Sequence, residues 1–250
     1  PEGSLTAHFL TPPHHNPKND HRPCIVFFHG GLWDTSMATQ FVPHCHHFTT
    51  RGAVTLTVEY RVSSKHNTGP IEAYTDARAT LRFLAQNAQS IGLDLTKIVM
   101  VGGASGAHLV LSCATLLENN ESNPIPRPAA VIGYSSIVDC TKKGIGLASF
   151  PSPKEAKHHS PLYQLPKKDL PPCLLFHAKE DRIASFERIS KFTRQYNKKG
   201  NTCELIDYEG VGHTFYNYNT NRELYELSLR ALDHFLVDQN ILEPSPFDDF

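Results

Sequence analysis

The sequence predicts an α/β fold, a mostly parallel central sheet with helices on both faces. Short continuous apolar runs such as Cys24-Ile25-Val26-Phe27-Phe28 recur along the chain, and a run without polar alternation marks a strand buried on both faces. Segments with apolar residues at three- and four-residue spacing alternate with these runs, as crossover helices on a parallel sheet would. A length of 250 residues is enough for a sizeable core and suits one domain over residues 1–250.

Proline-rich polar text from Thr11 to Pro23 leads into the first run, which ends in His29-Gly30-Gly31. A helix-compatible stretch, Thr39 to Thr50, precedes a second strand, Ala53 to Tyr60. In Ile71 to Asn87 the residues Ala73, Ala77, Leu81 and Leu84, followed by Ala88, draw one apolar stripe. Lys97 to Val101 reads as a strand and Gly106 to Leu117 as a helix. Further strands are expected at Ala129 to Tyr134, Cys173 to His177 and Thr202 to Tyr208, with helices at Phe186 to Asn197 and Asn221 to Asp238. The proline-rich segment 137–172 breaks this rhythm and reads as a lid-like insertion, too irregular to be a core element. The acidic tail 243–250 is expected to be loosely held.

Lys+Arg 24 against Asp+Glu 25 gives a formal charge of −1, which offers no electrostatic reason to expect nucleic acid or an anionic membrane as partner. A small, weakly charged ligand fits better. The apolar stretch Ile98 to Leu117 is long enough to raise the question of a membrane span, but Gly102, Gly103, Ser105 and His108 interrupt it. The six cysteines are scattered and form no dense disulfide framework. His44-Cys45-His46-His47 lacks the paired spacing of structural zinc, and a solvated helix face is the expected alternative to a metal site. Position 1 is proline, compatible with a removed leader, so cytoplasmic and exported locations both stay open, as does the oligomeric state.

Acyl transfer needs an oxygen nucleophile, a base oriented by a carboxylate, and backbone donors where the tetrahedral oxyanion forms. In an open α/β sheet these groups belong at the carboxyl ends of strands. His29-Gly30-Gly31-Leu32-Trp33 follows one predicted strand, and its glycines let N–H groups turn toward a ligand. His177-Ala178-Lys179-Glu180-Asp181 and Gly210-Val211-Gly212-His213 follow two later ones. The order is nucleophile, acid, histidine.

On HGGLW, Glu59-Tyr60-Arg61, GGASGAHL, HAKED and GVGHTF, from about Ser4 to Leu242, the chain resembles the α/β-hydrolase fold, in its hormone-sensitive-lipase-like and bacterial carbohydrate-esterase-like branch. In that branch the nucleophile turn resembles GGSAGGHL. Laying this on Gly102 to Leu109 puts Ala104 at the nucleophile position, between Gly102 and Gly106, and makes Ser105 an oxyanion donor. The competing register makes Ser105 the nucleophile, between Gly103 and Ala107. An alanine at the nucleophile position implies either a serine replaced to trap a substrate or a noncatalytic relative; the retained acid, base and glycine loop favour the first.

The resemblance thus implies a carboxylesterase-type serine hydrolase without metal or organic cofactor, acting on a short-acyl ester, with an acylated carbohydrate among the candidate substrates. Asp181 and His213 would complete the triad, and Gly30, Gly31 and Ser105 would form the oxyanion hole. Leu32, Trp33 and Tyr216 are expected to line the substrate pocket, Trp33 and Tyr216 as rings on which a sugar could stack. Arg61 is expected to make structural contacts, and Asp76 with Arg78 a local ion pair.

Overall fold

The structure, a computed structural model, describes residues 4–116, 125–165 and 169–245. Its sheet comprises β1 (Thr6–Leu10), β2 (Arg22–Phe28), β3 (Val54–Glu59), β4 (Leu93–Gly103), β5 (Ala130–Tyr134), β6 (Cys173–Ala178) and β7 (Cys203–Tyr208), in the order β1-β3-β2-β4-β5-β6-β7. All neighbours pair parallel except β1, which runs antiparallel to β3. The sequence showed no strand at β1. Four of its five residues are exposed, so this edge carries neither a buried run nor a one-sided apolar face to read.

Alternation along β2 explains the two-sided burial. Cys24, Val26 and Phe28 enter one apolar cluster while Ile25 and Phe27 enter another across the sheet. Helices α3 (Pro70–Ile91), α4 (Ser105–Thr115) and α6 (Phe186–Lys198) cover the first face, and α1 (Val42–Thr50) and α7 (Arg222–Asp238) the second. Two short helices, α2 (Ser63–His66) and α5 (Pro153–His158), complete the α-helices among the described residues. On α6 the buried residues are Ile189, Phe192 and Tyr196, one stripe of an otherwise polar helix. Each such side chain contributes about 1.5–3 kcal/mol on leaving water. The boundaries follow local chemistry: Pro70 opens α3, Gly92 closes it at φ 76°, and the Asn221 side chain accepts the Leu224 N–H to cap α7.

Three expectations are corrected here. Segment 137–172, of which residues 166–168 lie outside the described ones, is not a free flap: Ile137, Val138, Phe150, Ala156, Leu162 and Leu165 join the core. Its peptide groups are tied in as well, with the His159 carbonyl 2.7 Å from His108 Nε2 and the Cys140 N–H donating to Ser160 Oγ at 2.8 Å. The His44–His47 cluster is not a solvated face, since His44 and Cys45 are fully buried and His47 Nε2 lies 2.7 Å from Asp233 Oδ2. Burial drives the His44 pKa down to about 3, so it is neutral. Asp76 pairs with Arg61 rather than Arg78: the Arg61 guanidinium donates Nε at 2.9 and 3.0 Å and Nη2 at 2.7 Å, which fastens the end of β3 to α3. Tail residues 246–250 fall outside the described set. All six cysteines are free and buried, and no described helix is long and apolar enough to cross a membrane.

The topology also fixes where a ligand crevice belongs. After β2 the chain adds β3 on one side and then β4 on the other, so the order reverses between β2 and β4. In open α/β sheets a ligand site is expected at such a point, outside the carboxyl ends of the two strands.

The Arg61–Asp76 pair gives a stability prediction. Asp76 is buried, so Asp76→Ala removes the carboxylate that anchors the Arg61 guanidinium and should lower unfolding stability by about 3 kcal/mol. Urea denaturation checks this as a lower midpoint at unchanged slope.

Candidate active site

Between β4 and α4 the chain turns through a single residue, Ala104, whose backbone stands at φ 50°, ψ −111°. An L-residue is strained in that region, yet its surroundings leave little choice. A Cβ on Gly106 would run into the Phe28 and His29 carbonyls, and one on Gly102 into the backbone of Gly106. Glycine at both places lets α4 start directly against the end of β2. Ala104 N–H then donates to the Tyr134 carbonyl at 2.8 Å, and the Ala104 carbonyl accepts the His108 N–H at 3.1 Å as the first bond of the helix.

Ser105 opens α4, fully buried, with its Oγ 3.3 Å from the Tyr60 hydroxyl. Tyr60 in turn donates to the His29 carbonyl at 2.8 Å. The hydroxyl of Ser105 is therefore part of a buried link between β3 and the loop after β2. Its N–H lies in the first turn of the helix, where no intrahelical acceptor exists.

The loop after β2 runs through three consecutive positive φ values, Gly31 at 114°, Leu32 at 52° and Trp33 at 59°. The Gly31 carbonyl accepts the N–H groups of Asp34 and Thr35, closing a tight turn in which a Cβ on Gly31 would strike the Thr35 carbonyl. Leu32, exposed at the rim, adopts left-handed backbone without being glycine. Among the described residues the Gly31 and Leu32 N–H groups meet no acceptor. Gly30 departs from expectation: its N–H donates to Gln40 Oε1 at 2.7 Å and is not available to an oxyanion. It still lies against the turn, because a Cβ placed on it would sit 3.5 Å from the Ala104 Cβ.

Asp181 and His213 meet as the sequence order suggested, with His213 Nδ1 2.7 Å from Asp181 Oδ2. The other carboxylate oxygen accepts the N–H groups of Ile183 at 2.8 Å and Ala184 at 2.9 Å. Burial pushes the Asp181 carboxyl up, but the hydrogen bond and charge of His213 and these two N–H groups outweigh it and hold it below the ordinary aspartate value. An ionised Asp181 keeps the proton of His213 on Nδ1 and leaves Nε2 free to accept one. His213 is held through its backbone too: its carbonyl accepts the Ser135 hydroxyl at 2.6 Å, from a residue at φ 47° just past β5.

Two expected pocket residues are not on a wall. Trp33 is 2% exposed, edge-on to His108 at 5.0 Å and to Phe150 at 6.2 Å. Tyr216 is 1% exposed, stacked on Tyr134 at 4.9 Å beneath Gly103. Both rings belong to the support of the site, and neither offers a face for a sugar. An open groove of about 490 Å³ does pass His213, lined also by Glu180, Arg182, Ile183 and Val211. Ser135 and Gln40 were missed in the sequence; a serine directly after an apolar strand was the one available signal for the former, and nothing marked the latter.

The BD-FAE family model matches residues 12–196. Esterase 2 of Thermogutta terrifontis, in the form phosphoramylated by tabun, superposes with a TM-score of 0.90 at 31% identity, covering 97% of this chain and 92% of that one. Its butyrate-bound form superposes at 0.89, with 31% identity over the same shares. Carboxylesterase NlhH of Mycobacterium tuberculosis is 28% identical over 108 residues, 42% of this chain and 33% of that protein. Isoprenylcysteine alpha-carbonyl methylesterase ICME of Arabidopsis thaliana is 24% identical over 220 residues, 77% of this chain and 50% of that protein. The chain thus spans between a third and half of the length of these two curated relatives. With a matching family model over most of its length and esterase structures superposing on nearly all of it, the chain belongs to the BD-FAE family of α/β-hydrolase-fold esterases.

Proposed function

We propose that this site is built to hydrolyse carboxylic esters of short acyl groups and that Ala104 occupies the position of the nucleophilic serine. The observation that carries this reading is the φ of 50° at Ala104, at the strand-to-helix turn of the switch point. A strained backbone of this kind costs about 1–3 kcal/mol and persists where the surrounding structure over-determines it. The same turn in an active hydrolase lifts the serine Oγ clear of the sheet.

With serine at 104, His213 Nε2 takes the hydroxyl proton as Oγ adds to the acyl carbonyl, and Asp181 stabilises the imidazolium. The N–H groups of Gly31, Leu32 and Ser105 receive the oxyanion; Leu32 replaces Gly30 in that set because the Gly30 N–H is already donated to Gln40. The imidazolium then protonates the departing alcohol, and water releases the acid by the reverse sequence. No metal or organic cofactor enters these steps.

With alanine at 104 no acyl-enzyme forms. The donors and the Asp181–His213 pair still bind the ester and can polarise a water, and loss of the nucleophile in serine proteases leaves an acceleration of roughly 10³–10⁴ over water. Slow turnover with retained binding is the expected behaviour, as for a serine replaced to hold a substrate. Ser105 is the weaker candidate for nucleophile, since its hydroxyl is buried against Tyr60 and its backbone belongs to the helix. The short acyl group is supported by the Thermogutta esterase, which is known in butyrate- and propionate-bound forms. For the alcohol, the groove beside His213 has the volume of a small-molecule site and could take an acylated sugar, though without an aromatic face from Trp33 or Tyr216. A second reading, a noncatalytic ester-binding relative, is favoured by Ala104 itself.

Hydrolysis of p-nitrophenyl acetate separates the readings. Ala104→Ser should raise kcat/KM by at least about 10³-fold. Adding His213→Ala should remove the gain, and Ser105→Ala in the original chain should leave the rate nearly unchanged. An Ala104→Ser chain that stays inert while still binding ester would favour the noncatalytic relative; an active original chain silenced by Ser105→Ala would move the nucleophile to 105. Stability supplies a second check. Because the folded Asp181 carboxyl is held below its unfolded value, it contributes stability above pH about 4 that is lost as pH falls through the folded value. Asp181→Asn should therefore lower the urea midpoint at pH 6, with the gap closing as the pH drops toward 3.

A further inference from the structure

We infer that Gln40 is a positioning residue that locks the oxyanion loop to the loop of His213. The inference rests on the reading of the site given above, and its evidence is one carboxamide with all of its hydrogen bonds inside the site's support. Gln40 Oε1 accepts the Gly30 N–H at 2.7 Å, while Nε2 donates to Asn217 Oδ1 at 2.9 Å and to the Tyr216 hydroxyl at 3.2 Å. Only one orientation of the amide satisfies this set, because turning it over would set NH₂ against the N–H of Gly30. Gln40 is held in turn by the 3₁₀ turn Ala38–Phe41 before α1, where the neighbouring Phe41 ring stacks on Tyr216 at 6.0 Å.

Each end of this bridge governs one half of the chemistry. Gly30 lies against the Ala104 turn and is followed directly by Gly31 and Leu32, whose N–H groups are unclaimed. Asn217 and Tyr216 sit in the short run after His213, in which Phe215 N–H returns to the Gly212 carbonyl and Asn217 N–H to the Thr214 carbonyl. These turns bracket His213 between hydrogen-bonded neighbours, so the position of Asn217 constrains that of His213. The two loops leave β2 and β7, distant strands of the sheet, and one side chain sets the spacing between donors and base.

Placement of this kind acts on the reaction step more than on substrate affinity; a misplacement of about 1 Å is worth as much as 10²-fold in rate. In an Ala104→Ser background, Gln40→Met, which keeps the length and deletes every hydrogen bond, should lower kcat about 10- to 100-fold with KM within about twofold. Gln40→Glu, which still accepts the Gly30 N–H, should lose less. In the original chain, Gln40→Met should displace both the Gly30 amide and the His213 ring resonances in NMR spectra. An unchanged kcat, or a His213 ring signal that stays in place while the Gly30 amide moves, would overturn the inference. If Ala104→Ser shows no activity to lose, the esterase reading fails on its own and the ring resonances alone decide the coupling. If Gln40→Met does not fold, Gln40→Glu is read by the same two measurements, with an unmoved His213 signal and an unchanged kcat counting against the inference.

Discussion

The close approach of α4 to the end of β2 is the constraint on which the rest of the site depends. Gly106 packs without a side chain against the Phe28 and His29 carbonyls, and Gly102 against Gly106. The turn between β4 and α4 is then too short for a relaxed residue, and Ala104 takes up the strain at φ 50°. From that contact the other parts follow in space: the loop after β2 is drawn against residue 104, the first turn of α4 presents its unbonded N–H groups there, and the Ala104 N–H is fixed by the end of β5.

The acid and base are held from several directions. Asp181 divides its oxygens between His213 and two backbone N–H groups, and Ser135 and Asn217 tether the loop that carries His213. On the proposed reading, this acid–base pair serves residue 104, which as alanine cannot itself attack. Strained backbone at Ala104, Leu32 and Ser135 is concentrated at one end of the sheet, where loops leave the strands.

Much of this was legible in the sequence, for physical reasons that also mark its limits. Buried parallel strands such as β2 and β6 are uninterrupted apolar runs, and α3 and α6 carry clear stripes, so their types could be read with ends wrong by a few residues. The exposed edge strand β1 has no such pattern. Backbone motifs transferred well: Gly102, Gly106 and Gly31 are positions where a Cβ is sterically impossible. Side-chain direction did not. Trp33 and Tyr216 stand beside candidate catalytic motifs in sequence, yet both point into the packed interior. Gln40 claims the Gly30 N–H from ten residues away by a side chain with no periodic or compositional mark. Segment 137–172 looked like a lid because its prolines break regular structure, whereas its apolar residues fill the core between those breaks.

The most direct measurement of whether residue 104 holds the nucleophile position is covalent labelling. The Ala104→Ser protein is treated with paraoxon, digested, and sequenced by mass spectrometry, with the original chain treated in parallel. A single diethylphosphoryl group on residue 104, and none in the original chain, is the result expected from the strained turn, the Asp181–His213 pair and the free loop donors. A label on Ser105, or equal labelling of the original chain, would contradict it and place the reactive oxygen elsewhere.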